Sequence, residues 1–220
     1  MSDIKYEKDE VKTITSDMVL HDISFYKSKA WLQDIDNYIK FIKAVEKLVR
    51  KHPDYDAMVS DIRENYMDHC QILGNISRED AVLEIHHGPL FTLFDICMVV
   101  LNHQINLNDD KINTFNIANI VLREHKLGNI QFVVLSSTAH QLIDTGEIFI
   151  NLNQGIGNIQ EFINKYKDGI DGMMVEKINK YIDMSKQYKS TDNSILKLEK
   201  TMVDWSYRKI PNKDWSQKIC

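Results

Sequence analysis

Cysteine, proline and glycine are all scarce in this chain: 220 residues contain three Cys, three Pro and eight Gly. The cysteines (Cys70, Cys97 and Cys220) are odd in number, far apart, and include no Cys-x-x-Cys pair. That excludes a disulfide framework and a cysteine-rich zinc knuckle, and the simplest setting is a reducing, intracellular one. So few turn formers argue against a β-sandwich and for helices joined by polar loops. A long apolar run is missing too. The best stretch, Pro89 to Leu101, is interrupted by Asp95 and falls short of the roughly 18 residues that a membrane span needs. The N-terminus, MSDIKYEKDE, has no apolar core, so neither a secretory signal nor a membrane partner is expected. Nor is there a basic excess. The net charge of −5 counts against broad, nonspecific binding to nucleic acid, which needs phosphates to be neutralised. Lysines gather at 40–51 and 186–200, but acidic residues are interleaved, as on solvated helix faces.

What is present is an ordinary globular balance, 43% hydrophobic and 27% charged, over a length that suits one compact unit. The spacing predicts a helix over 28–51, where Trp31, Ile35, Tyr38, Ile39, Ile42, Val45, Leu48 and Val49 share a face. His52-Pro53 ends it, and Met58, Ile62 and Tyr66 align on the next helix, from Asp54 to Tyr66. The period then changes. Residues 81–86 read as a short strand, 90–103 as a helix capped by Thr92, and a helix opened by Thr114 ends at Gly128-Asn129. Phe132 to Leu135 reads as a strand, Ser136-Ser137-Thr138 as a helix start, Ala139 to Asp144 as a short helix closed by Gly146, and Ile148 to Ile150 as a further strand. Helices broken at Gly169 and Gly172 fill 159–188, and another runs from Ser194 to Trp205. The expected fold is α+β and mostly helical. It has an N-terminal helical region at 1–65, an α/β core at 66–152 and a C-terminal helical region at 153–220.

Two segments carry candidate chemistry: Glu84-Ile-His86-His87-Gly-Pro89, and Val133-Val-Leu-Ser-Ser-Thr-Ala-His140-Gln-Leu-Ile-Asp144. His140 and Asp144 stand at i and i+4, so they share a helix face and could reach one divalent ion with a histidine from the first strand. Such a His/His/Asp set leaves coordination positions open, as metal-assisted hydrolysis requires. A further histidine can take a proton from water near neutral pH. Adjacent histidines on a strand point to opposite sides of a regular pleat. Glu84 shares the His86 face and reads equally as a residue that orients a ligand or as a solvated one. His69-Cys70 is a weaker candidate for a structural zinc pair. Cys97 reads as a small buried hydrophobe, and His125 as a structural residue at a helix end. Trp205 to Lys209 mixes aromatics with basic residues, but reads first as a packed anchor.

This order of elements resembles the HNH (ββα-metal) nuclease superfamily, in which a strand ending in a His pair and a second strand lead into a helix bearing the remaining ligands. The resemblance implies His86 as a metal ligand, His87 as the general base, and His140 and Asp144 as the helix ligands. Gln131 stands where the family has a bracing Asn, with Asn129 two residues earlier, and Asp144 stands where it has a second His or an Asn. Residues 90–127 then form a two-helix insertion. The His-His-x-Pro, Leu-Phe-Asp-Ile and Leu-Ser-x-Thr-x-His elements are also similar to those of proteins encoded by tailed bacteriophages. The resemblance implies a metal-dependent endonuclease hydrolysing DNA with Mg²⁺, Mn²⁺ or Zn²⁺ in the cytoplasm of an infected bacterium. The alternative is a catalytically inactive scaffold or a structural phage protein that binds a host or virion protein, with association with the virion.

Overall fold

The computed structural model describes residues 26–187, apart from 66, 75, 109–111, 146 and 147. The expected helix at 194–205, the Trp205 to Lys209 stretch and the closing Gly146 lie outside the described residues. The architecture is mostly helical, with one small antiparallel sheet.

Two helices replace the single one expected at 28–51. α1 (Lys29–Leu32) stops at Gln33, and the Asp34 side chain accepts from Asn37 N–H to cap α2 (Ile35–Arg50). An aspartate there satisfies a backbone donor that would otherwise be orphaned, so it starts a helix more readily than it continues one. α3 (Pro53–Asn65) begins at Pro53, where the missing N–H is of no consequence. β1 (Leu83–His87) follows, then α4 (Leu93–Asn106), whose Thr92 cap is completed by Asp95 Oδ2 accepting in return from Thr92 N–H. α5 (Thr114–Lys126) is capped by Asn113 rather than by Thr114, and Gly128 adopts φ 71° just beyond its end.

β2 (Phe132–Ser136) runs antiparallel to β1, pairing Leu83 with Ser136 and His87 with Phe132. α6 (Ser137–Asp144) starts without a linker because the Ser136 side chain caps it. Ile148 to Ile150 forms no strand. The outer edge of β2 is occupied instead: Gln71 N–H donates to the Val134 carbonyl, Val134 N–H donates to Gln71 Oε1, and Phe132 forms an isolated bridge with Ile156. With the Phe132 and Val134 backbone groups bonded in this way, that part of the edge offers them to no third strand. A 3₁₀ turn (Leu152–Gln154), α7 (Ile159–Lys165), a second 3₁₀ turn (Lys167–Gly169) and α8 (Gly172–Gln187) complete the described chain.

The larger apolar core joins α2, α4, α5, α7 and α8, with Ile42, Val45, Ile96, Val100, Val121 and Ile178 essentially inaccessible. A smaller one lies around the sheet and α6, from Ile62 and Met67 through Val133 to Ala139. The two helices between the strands therefore build the main core instead of decorating a ββα unit. The second 3₁₀ turn locks onto α4 through Asn102 Nδ2 to the Gly169 carbonyl (3.2 Å) and His103 Nδ1 to Asp168 (2.5 Å). A Cβ on Gly169 would lie 2.2 Å from the Val99 carbonyl oxygen and 2.9 Å from His103 N. Both are backbone atoms, so the helix itself would have to move. Gly169→Ala is expected to destabilise the fold by about 1–3 kcal/mol, the usual range for overpacking. Urea unfolding, read as a lower midpoint at constant slope, checks this.

Candidate metal centre

β1 divides its side chains by the period of two. Glu84 and His86 take one face, while Leu83, Ile85 and His87 take the other. α6 follows β2 directly, and its i, i+4 pair, His140 and Asp144, projects toward the Glu84–His86 face. One ligating atom from each of His86, His140 and Asp144 lies within 4.8 Å of the others. The His86 and His140 rings meet edge to face at 4.7 Å. His140 Nε2 lies 3.8 Å from Asp144 Oδ2, too far for a hydrogen bond. His140 Nδ1 sits 2.5 Å from Glu84 Oε2, and the Ser137 hydroxyl donates to Glu84 Oε1 at 2.9 Å.

The electrostatics follow from these contacts. The His140 hydrogen bond, then that of Ser137, holds the Glu84 carboxyl below its usual value. Burial, reinforced by His140 and opposed by Asp144, lowers the His86 imidazole, which favours the neutral, ligating form. The donor set suits a divalent ion of the zinc or manganese kind: two imidazole nitrogens and a carboxylate oxygen, with positions left open. Tetrahedral zinc would draw such atoms to about 3.3 Å apart, given bonds near 2 Å. Asp144 is free to make that adjustment, since 65% of its side chain is exposed.

His87 does not join this cluster. It is buried on the opposite face, where its Nε2 lies 3.0 Å from His125 Nε2 and its ring stacks on Tyr55 at 6.1 Å. His125 Nδ1 faces the Val121 carbonyl oxygen at 2.8 Å, and that oxygen only accepts. Neutral His125 therefore keeps Nε2 bare and accepts from His87. Burial, then the neighbouring His125, Arg50 and His86, holds His87 well below the usual imidazole value. Regular strand alternation is the physical reason: with His86 turned to the cluster, His87 must turn to the core, so it supplies no base for water at the cluster. Gln131 and Asn129 are also engaged elsewhere. Gln131 Nε2 donates to the Leu152 carbonyl at 3.1 Å, and the Gln131 backbone carbonyl accepts from Gly88 N–H. Asn129 Nδ2 donates to Glu124 Oε2 at 2.8 Å. Of the cysteines, Cys97 is buried as expected, and Cys70 is buried with its Sγ accepting from Leu73 N–H.

Two features escaped the sequence reading. Ser137 was read only as part of a helix start. Glu124, fully buried on α5, binds Lys165 Nζ (2.6 Å), the Tyr166 hydroxyl (2.8 Å) and Asn129. An ionisable residue beside the apolar Val121-Leu122 stripe was the available signal.

A model of the bacteriophage G278-like virion proteins matches residues 1–216. The chain belongs to that family. This virion protein family supports the expected phage origin, and the match runs across both strands, the helices between them and both flanking helical regions. No curated protein matches the chain, and no solved structure does. Membership of the HNH superfamily is not shown by any of these comparisons. Among the described residues, no helix is long and apolar enough to cross a membrane.

Proposed function

We propose that this chain is a component of the phage particle whose ββα element holds one divalent metal ion, and that it works by binding a virion or host protein. One observation carries the reading: the histidine pair is split across β1. His86 meets His140 and Asp144 within 4.8 Å, while His87 is buried against His125. Three residues able to ligate a metal are thus close together, and His87, the candidate base, faces the other side of the strand. The net charge of −5 agrees with a protein partner better than with a nucleic-acid one. His86, His140 and Asp144 would hold the ion. Two imidazoles favour Zn²⁺ over Mg²⁺, which prefers oxygen ligands and its own water shell.

A second reading, a metal-dependent DNA endonuclease of HNH type, draws support from the ββα order and from a ligand set with open positions. A bound ion would supply Lewis acidity toward a phosphodiester oxygen there. Full-length protein incubated with DNA and Zn²⁺, Mn²⁺, Ni²⁺ or Mg²⁺ separates the two. Stoichiometric zinc with intact DNA is expected, together with a stable complex when the protein is mixed with purified particle proteins. Metal-dependent cleavage that is lost in His140→Ala would overturn the binding reading in favour of the nuclease.

A further inference from the structure

Glu84 reaches the centre only through His140. A carboxylate can only accept, so the 2.5 Å contact from Glu84 Oε2 requires a proton on His140 Nδ1. In neutral His140, Nε2 is then bare, with Asp144 Oδ2 3.8 Å away. Both atoms are acceptors, no hydrogen bond joins them, and the His86 ring closes the third side. Two lone pairs, on His140 Nε2 and Asp144 Oδ2, thus face each other beside the His86 ring, an arrangement that a cation stabilises.

The carboxylate is itself held. Its second oxygen takes the Ser137 hydroxyl at 2.9 Å, and Ser137 N–H donates to the Val82 carbonyl at 3.2 Å. Ser137 and His140 belong to the same turn of α6, while Glu84 and His86 belong to the same strand face. The Ser137–Glu84–His140 chain therefore ties the helix that bears two of the ligands to the strand that bears the third.

We propose that Glu84, anchored by Ser137, is the positioning residue of the metal centre: it fixes His140 with the proton on Nδ1, so that Nε2 faces the ion. This rests on the metal reading above. Hydrogen bonding to a carboxylate also makes the opposite nitrogen a better donor to metal. With Asp144 it brings two negative charges to a dication, leaving the loaded centre neutral.

The test uses the full chain, first without metal. Imidazole ¹⁵N shifts of wild type are expected to show His140 protonated at Nδ1 and bare at Nε2. Glu84→Ala should release His140 to the Nε2–H form and weaken zinc binding by about 10–100-fold, the usual effect of removing a ligand's carboxylate partner. Glu84→Gln keeps an acceptor oxygen, so it should retain the tautomer and lose less affinity. Ser137→Ala should lie between wild type and Glu84→Ala. The melting temperature of the metal-free chain should stay nearly constant across the series, which a general structural role would not allow. If wild type binds zinc and Glu84→Ala binds it equally well, or if His140 keeps its Nδ1 proton in Glu84→Ala, the positioning role is wrong and the metal reading survives. If wild type binds no zinc, both fall.

Discussion

His140→Ala is expected to weaken zinc binding by more than about 100-fold while barely changing the metal-free fold. The lower bound comes from comparison: losing an outer carboxylate costs about 10–100-fold in affinity, and losing a ligand should cost more. His140 also sits at the hub of the cluster, bonded to Glu84, nearest to Asp144 and in ring contact with His86. The metal-free fold should tolerate the change because 29% of the His140 side chain is exposed and its one strong partner, Glu84, can be hydrated. Loss of that contact costs at most about 1 kcal/mol at such a site. Thermal unfolding gives an independent readout. Zinc at about 100 times its Kd should stabilise wild type by about 2.7 kcal/mol. His140→Ala should gain almost nothing at the same concentration. Equal zinc stabilisation of both proteins would place the ion elsewhere.

The second large effect lies far from that face. Glu124→Ala is expected to destabilise the fold by about 3 kcal/mol, because it strips partners from Tyr166, Lys165 and Asn129 at a fully buried position. Lys165 can turn to solvent, which keeps the cost toward the lower end for a broken buried pair. The same group shapes acid stability. Burial raises the Glu124 carboxyl, but the Lys165, Asn129 and Tyr166 hydrogen bonds outweigh it and leave the group below its usual 4.5. A depressed folded value means that the unfolded chain binds the proton first as pH falls. The stability that ionised Glu124 contributes is therefore complete above about 4.5 and is lost as pH drops through the folded value. Glu124→Gln should flatten this acid limb in urea midpoints measured from pH 6 to pH 3. An unchanged slope would show that the charge contributes nothing.

Much of this molecule was legible before its structure. Periodicity and capping chemistry located α4 through Thr92 and the region where α6 begins through Ser136-Ser137-Thr138, because both are local signals. The break at Asp34 and the absent strand at 148–150 were not, for different reasons. The first turns on one aspartate choosing to cap instead of continuing a helix. The second turns on Gln71, distant in sequence, filling the free edge of β2. The standing of the two helices between the strands was also hidden. Their apolar stripes are plain in the sequence, but only tertiary packing shows that they form the main core.

The proximity of His86, His140 and Asp144 was legible from an i, i+4 pair and a strand histidine, patterns whose geometry is fixed by element type. The base assigned to His87 came from resemblance, and strand alternation works against it: one strand cannot turn neighbouring side chains to the same face without distortion. His125, taken singly as a helix-end residue, acquires its meaning only as the partner of His87. Likewise Glu84, poised between an orienting and a solvated reading, could be weighed only once His140 and Ser137 were seen on its two oxygens.

Zinc-edge X-ray absorption on the full-length, zinc-loaded protein tests the central claim most directly. The expected result is one zinc per chain with a shell of nitrogen and oxygen near 2.0–2.1 Å and the scattering pattern of two imidazoles, reduced to one in His86→Ala. A chain that retains no zinc, or a sulfur shell near 2.3 Å, would contradict a centre built from His86, His140 and Asp144.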